Sequence, residues 1–234
     1  MSYLIFGHRG IPSLATENSL SGFKKILENS VKAVELDVHL TLDNLLVVIH
    51  DFNTERLSGI DCVVSDTEYS RIKELTIGAD DKIPLLSEVF DLLGSSVFYD
   101  IEVKSLGKNR KELTGKLLDL IKKYKLDSCC IVSSFDPLLI KEFNRLKSGI
   151  KTGVIYSRHK DVPFFLREGL GVFFTHVDII KPHYKQLKGP LFFLFTKIMK
   201  KECYTWTVND KETFEYVINR GCSGICSNNP QDFI

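Results

Sequence analysis

Residues 97–143 read VFYDIEVKSLGKNRKELTGKLLDLIKKYKLDSCCIVSSFDPLLIKEF, and this stretch decides the fold. Residues 97–103 have the short apolar run of a strand. From 108 to 124 the period changes: Leu113, Leu117, Leu120 and Ile121 fall on one stripe with Lys and Glu opposite, as in an amphipathic helix. A second strand follows near 129–134, and Asp136-Pro137 opens a second helix with Leu139, Ile140 and Phe143 inside it. Strand, helix, strand and helix at this spacing are the units of a parallel sheet.

Working outward, the same alternation runs along the chain. Strands are predicted near 3–8, 33–39, 97–103, 129–134, 151–156, 176–181, 202–207 and 223–227, with a helix after seven of the eight. The segment Leu20 to Leu27 has helical spacing, with Asn18 or Ser19 to cap it and Asn29 to end it. Later helices are predicted near 160–168, 185–200 and 211–220, the last ending at Gly221. Eight such units in 234 residues indicate one (β/α)₈ barrel over residues 1–234, its last helix missing or vestigial. Residues 52–84 break the alternation: they are polar and turn-rich, and predict a small insertion after the second strand with a short helix near 68–74. A doubly wound open sheet is the alternative, but no GxGxxG or GxxxxGK follows any strand.

Composition sets bounds. Apolar content of 44%, charged content of 26% and a formal charge of +1 describe an ordinary globular chain, without the basic field that binds nucleic acid or an anionic surface broadly. Met1-Ser2-Tyr3 enters the first strand without the basic segment and apolar core of a signal peptide. No apolar run approaches the ~18 residues of a membrane span, so no stable membrane insertion is expected. Six cysteines show no CxxC pair, which predicts reduced thiols and a cytoplasmic location.

The chemistry lies in the first 104 residues. His8-Arg9-Gly10 closes the first apolar run, Glu35 and Asp37 lie two apart in Val34-Glu35-Leu36-Asp37-Val38, His50-Asp51 ends the run Leu45 to Ile49, and Glu102 and Lys104 lie two apart in Ile101-Glu102-Val103-Lys104. Residues two apart on a strand share a face, so each pair aims charge one way and apolar neighbours the other. In a barrel these strand ends converge at the C-terminal mouth. Glu35, Asp37 and Glu102 in one pocket repel unless a cation intervenes, and an all-oxygen set favours magnesium or calcium. Arg9 and Lys104 add two positive charges suited to an anionic substrate such as a phosphate. Histidine as a residue type titrates near neutral pH and serves as either general acid or general base, so His8 and His50 are the candidates for the two roles, in an order that strand logic leaves open.

With these residues in place, the chain resembles the glycerophosphodiester phosphodiesterases over nearly its whole length. The resemblance is carried by His8-Arg9-Gly10, Glu17-Asn18-Ser19, Glu35-Leu36-Asp37-Val38, Val48-Ile49-His50-Asp51 and Ile101-Glu102-Val103-Lys104. Weaker echoes are Ser134-Phe135-Asp136-Pro137, Trp206-Thr207-Val208-Asn209-Asp210 and Gly224-Ile225-Cys226-Ser227-Asn228-Asn229-Pro230. It implies a (β/α)₈ barrel that hydrolyses glycerophosphodiesters to glycerol 3-phosphate and an alcohol with one divalent cation, magnesium or calcium. It further implies that Glu35, Asp37 and Glu102 hold the metal, that His8 and His50 are the acid-base pair, and that Arg9 and Lys104 contact phosphate. The 52–84 excursion resembles the family's insertion. Ser19, Asp43-Asn44 and Asn228 depart from the family's usual threonine, Asp-Gly and aspartate.

Phe135 and Trp206 are the candidates for an apolar wall against the glycerol or the leaving group. His39 shares a face with Asp37 and is expected to pack at the rim, while His159, His176 and His183 carry no partner pattern. A rival reading is a lysophospholipase D acting on membrane lysolipids, with Phe164-Phe165-Leu166 and Leu191 to Phe195 facing lipid; those segments are expected instead to be buried faces of barrel helices. A barrel that binds glycerophosphodiesters without cleaving them is the remaining alternative.

Overall fold

The computed structural model describes residues 3–105, 107, 109–160 and 162–234. Eight parallel strands close a barrel: β1 (Leu4–His8), β2 (Ala33–Leu40), β3 (Phe98–Val103), β4 (Cys130–Ser134), β5 (Lys151–Tyr156), β6 (Ile179–Pro182), β7 (Glu202–Thr205) and β8 (Gly224–Ser227). Each pairs with the next, and β1 pairs with both β2 and β8, so the sheet has no open end. The doubly wound alternative is therefore excluded.

The strands form where β-branched and aromatic residues alternate with the groups that face the barrel axis. On β3, Tyr99, Ile101 and Val103 face the helices and join the outer core, while Phe98, Asp100 and Glu102 face inward. The interior is layered along the strand direction. Phe6, Ala33, Ile131, Ile179 and Tyr204 plug the floor. One step on come Glu35, Asp100, Ser133 and Lys181, and a further step on Asp37 and Glu102. Parallel register places them side by side: His8 opposite Glu35, Glu35 opposite Asp100, and Asp37 opposite Glu102.

The outer helices follow their apolar stripes. Leu20–Glu28 buries Phe23 and Ile26, Arg110–Lys123 buries Leu113, Leu117 and Ile121, and Pro137–Arg145 buries Leu139, Ile140 and Phe143, with Asp136 Oδ1 accepting from the Leu138 and Leu139 amides. Phe143 is fully buried, so Phe143→Ala should lower folding stability by about 3–5 kcal/mol, read as an earlier urea midpoint at unchanged slope.

Several elements differ from the sequence reading. The segment Leu45 to Ile49 supplies a short strand, Leu46–Val48, that folds back antiparallel on β2 with Val48 opposite Val38. Helix Leu86–Leu93 was missed, although Leu86, Val89, Phe90 and Leu93 carry clear helical spacing; it is the true helix of the second unit. The helix predicted over 160–168 is only a turn, Phe164–Leu166, followed by Val172–Thr175, because Pro163 and the left-handed Gly169 (φ 79°) interrupt it. The helix predicted over 185–200 is confined to Pro190–Ile198, with a separate turn at Tyr184–Gln186. Strand β6 starts at Ile179 rather than 176, since His176 is left-handed (φ 51°) and ends the preceding turn. The last helix, by contrast, is vestigial as expected: a single turn, Pro230–Phe233.

The 52–84 stretch holds helices Glu55–Ser58 and Tyr69–Ile72 and a hairpin of Thr76–Ile77 with Asp81–Lys82. Together with the hairpin strand it packs around its own small core of Val47, Ile49, Val64, Ile72, Ile77 and Ile83. Among the described residues no helix is long and apolar enough to cross a membrane. All six cysteines are free, although the Sγ atoms of Cys203 and Cys222 lie 3.6 Å apart.

Candidate active site

The barrel mouth assembles as strand ends require. Glu35, Asp37 and Glu102 are buried, and each offers an oxygen such that all three lie within 4.8 Å of one another. Burial first, then Asp37 and Glu102, push the Glu35 carboxyl well above the usual carboxylate range. Asp37 goes the other way: burial opposes its charge, but Lys104, Arg9 and His50 outweigh it and hold the carboxyl far below its ordinary value. Lys104 Nζ lies 2.9 Å from Asp37 Oδ1 and also pairs with Glu102, while Arg9 Nε lies 3.4 Å from Asp37 Oδ2.

The residues present fit a divalent cation. Three buried carboxylates crowd one pocket and one of them is driven toward its protonated form, a conflict that a divalent cation removes. A second group, His8, Glu35 and Cys226, is less suited, because burial and then the Glu35 charge raise the Cys226 thiol well above its ordinary range and oppose the thiolate a soft metal needs.

Both histidines are oriented from behind. His8 Nδ1 lies 2.6 Å from Asn228 Oδ1, an acceptor, so Nδ1 carries the proton and Nε2 faces Glu35 Oε2 at 4.0 Å. Burial, then the Arg9 charge, lower the His8 pKa to about 4. Asn228, a departure from the family pattern, thus holds a catalytic candidate. His50 Nδ1 lies 2.6 Å from Asp51 Oδ1, and Asp51 in turn accepts from Arg56 Nε at 2.5 Å. Arg56 also donates to Glu17 at 2.6 Å, and Glu17 accepts from Arg9 at 2.9 Å. The chain from His50 to Arg9 therefore passes through the insertion, which supplies Arg56.

Backbone geometry contributes as well. Arg9 (φ 59°) and Asn18 (φ 52°) are both left-handed, a conformation that costs on the order of 1–3 kcal/mol for a non-glycine residue. The Asn18 amide donates to the Arg9 carbonyl at 2.8 Å and holds the two together. Gly10 (φ 91°) follows, where a Cβ would stand 2.9 Å from the Gly22 carbonyl; only glycine lets the loop pass so close to the first helix.

Some expectations require correction. Of the two cap candidates, Ser19 accepts from the Gly22 amide, whereas the fully buried Asn18 donates through Nδ2 to Asp37 Oδ2 at 2.8 Å. His39 lies beneath His50: its Nε2 sits 3.2 Å from the His50 carbonyl oxygen and its ring meets Phe52 edge-on at 5.0 Å. Phe135 and Trp206 meet edge-to-face at 5.8 Å, with the Lys104 ammonium 5.9 Å from the Phe135 centroid. The sequence reading also missed a buried network below the carboxylates. Lys181 Nζ lies 2.6 Å from Asp100 Oδ2 and donates to Ser133 Oγ at 2.8 Å, and Ser133 donates to Asp100 Oδ1 at 2.8 Å. The signals were present: Asp100 shares a face with Glu102, and Lys181 sits inside an apolar strand run.

A parallel barrel with an oxygen-rich cluster, two oriented histidines and two cations at its mouth has the make-up of a hydrolase for anionic esters. The sequence matches the Glycerophosphoryl diester phosphodiesterase family over residues 8–232, and the chain belongs to that family and is an enzyme of that class. It is 29% identical to a glycerophosphodiester phosphodiesterase of Caldanaerobacter subterraneus, covering 100% of this chain and 97% of the relative. It is 24% identical to the rat lysophospholipase D GDPD1, over 95% of this chain and 82% of that protein. An Oleispira antarctica phosphodiesterase, solved with the product sn-glycerol-3-phosphate, superposes with a TM-score of 0.86 at 21% identity, covering 98% of this chain and 94% of that one.

Proposed function

We propose that this chain hydrolyses glycerophosphodiesters to glycerol 3-phosphate and an alcohol, with His8 and His50 exchanging protons beside one divalent cation, Mg²⁺ or Ca²⁺, held by Glu35, Asp37 and Glu102. The observation that carries this reading is the convergence of three buried carboxylates, two cations and two backed histidines on one rim. Asp100 and Lys181 neutralise each other below. The remaining carboxylates and Arg9 with Lys104 then sum to one negative charge, and a divalent cation turns the site to net positive, as an anionic diester requires.

When bound, the cation supplies Lewis-acid polarisation of a phosphoryl oxygen. Arg9 and Lys104 bind the phosphate oxygens and counter charge that builds in the transition state. One histidine takes the proton of the nucleophile, either water or the neighbouring glycerol hydroxyl, and the other gives a proton to the leaving alcohol. Asn228 and Asp51 hold the two rings by Nδ1 and leave Nε2 for these transfers. Phe135 and Trp206 wall the glycerol or leaving-group side. The substrate is a small molecule, and the reading needs neither nucleic acid nor an inserted membrane segment.

Stripping the protein with EDTA should abolish release of glycerol 3-phosphate from glycerophosphocholine and glycerophosphoethanolamine in a coupled assay, and adding back magnesium or calcium should restore it. Undiminished turnover after stripping would remove the metal from the proposal. The second reading, cleavage of lysolipids, is favoured by the exposure of Phe164, Phe165 and Phe193, which were expected to be buried; only Phe192 and Phe195 of the later segment are. Activity on lysophosphatidylcholine with silence on the water-soluble diesters would select it.

A further inference from the structure

Five of the six exposed phenylalanines among the described residues lie on one flank. The segments that follow β5 and β6 expose Phe164, Phe165, Phe173, Phe174, Phe193 and Ile198, with Phe164 79% and Ile198 62% exposed. The two segments form one surface: Gln186 Nε2 donates to the Arg167 carbonyl at 2.8 Å, and the rings of Phe173 and Phe195 meet at 5.4 Å.

Charge is concentrated on the same flank. Residues 157–201 hold nine Lys or Arg against three Asp or Glu, whereas the whole chain holds 31 against 30. Among the nine, Lys181 is buried, and Arg158, Lys160, Lys185, Lys188, Lys197 and Lys200 are exposed. The near-neutral total thus conceals a basic, aromatic face on an otherwise acidic chain.

Exposed phenylalanines framed by lysines fit a headgroup region, where rings enter the acyl boundary and ammonium groups meet lipid phosphates. The same face suits a second copy of this chain poorly. A two-fold dimer would set the patch against itself, bringing each group of lysines onto its duplicate. We propose that the exposed aromatic and lysine side chains of segments 158–160, 162–175 and 183–200 form a docking face for an anionic lipid bilayer, on which the protein rests without spanning it. The face is continuous with the site rim, since His183 at the end of β6 meets the Trp206 ring at 5.2 Å. Docking would therefore bring the mouth close to the headgroups.

The test is sedimentation of the full chain with vesicles of phosphatidylcholine alone and of phosphatidylcholine with roughly 30% phosphatidylglycerol. No soluble diester is present, so the outcome does not depend on what the site cleaves. The protein should pellet with the anionic vesicles only, and release at about 0.5 M salt. The pair Lys197→Glu and Lys200→Glu should weaken partitioning by roughly tenfold or more. The pair Phe164→Ser and Phe165→Ser should weaken it by about tenfold. Both pairs change exposed side chains, and their turnover of a water-soluble diester should match the parent's. Protein left in the supernatant with anionic vesicles, or pelleting that neither pair alters, overturns the proposal. A dimer on size exclusion that the phenylalanine pair dissolves, without vesicle binding, assigns the face to a second copy and overturns it as well.

Discussion

His50→Ala should lower kcat on glycerophosphocholine by about 10²–10⁴-fold in metal-loaded enzyme, with a much smaller change in KM. The imidazole is held in one orientation: its Nδ1 meets Asp51 at 2.6 Å, and Asp51 is fixed by Arg56. The backbone at this position is anchored separately, by the Ile49 amide donating to the Asp37 carbonyl at 3.0 Å and by His39 against the His50 carbonyl. Removing the ring therefore deletes the proton carrier of the proposed mechanism and leaves the loop in place. His8→Ala should fall in the same range, because Asn228 orients that ring in the same manner. Near-parental turnover in both single variants would take the histidines out of the chemistry.

The second large effect is on stability. Lys181→Met should destabilise the fold by about 3–5 kcal/mol, since it strands the Asp100 carboxylate inside the barrel. The Lys181 and Asp100 side chains are only 4% and 2% exposed, and Ser133 joins them. Replacing both charges, Lys181→Met with Asp100→Leu, should recover most of the loss, because burying neither ion avoids both desolvation costs. Equilibrium urea unfolding of the single and double variants measures this. Equal stability of the single variant and the parent would show that water reaches the pair.

Much of this protein can be read from its sequence, for a definite reason. Barrel strands alternate between two chemically different environments, so Ile101 and Val103 facing helices and Glu102 facing the axis leave a period of two. Strand β3 and the helices Arg110–Lys123 and Pro137–Arg145 lie close to their expected positions because their apolar stripes are long and cleanly periodic. The elements after β5 and β6 do not, since Pro163, Gly169, Gly189 and Pro190 cut the pattern into pieces too short for a periodic signal. Helix Leu86–Leu93 was hidden by its neighbour: a turn-rich insertion ending beside it drew the reading toward loop.

The site divides in the same way. His8, Arg9, Glu35, Asp37, His50, Glu102 and Lys104 are recognisable because charge inside an apolar strand run has few structural explanations. Asn18 resembled a helix cap, and Arg56 an ordinary exposed cation of the insertion. Their links to Asp37 and to Glu17 span 19 and 39 residues, and nothing local encodes them.

The sequence by itself determined the parallel barrel, the direction each strand presents its charge, and the identity of the groups at the mouth, because these follow from local periodicity and from the cost of burying charge. Only the tertiary structure decided how those groups are supported. Asn228 lies 220 residues from His8, and Lys181 and Asp100 lie on strands that are not neighbours, so closure of the barrel alone brings them together. It also decided that Phe164, Phe165, Phe173, Phe174 and Phe193 lie outside the core. Once the segment after β5 shortens to single turns and the helix after β6 to Pro190–Ile198, less helical surface remains to carry those rings inward.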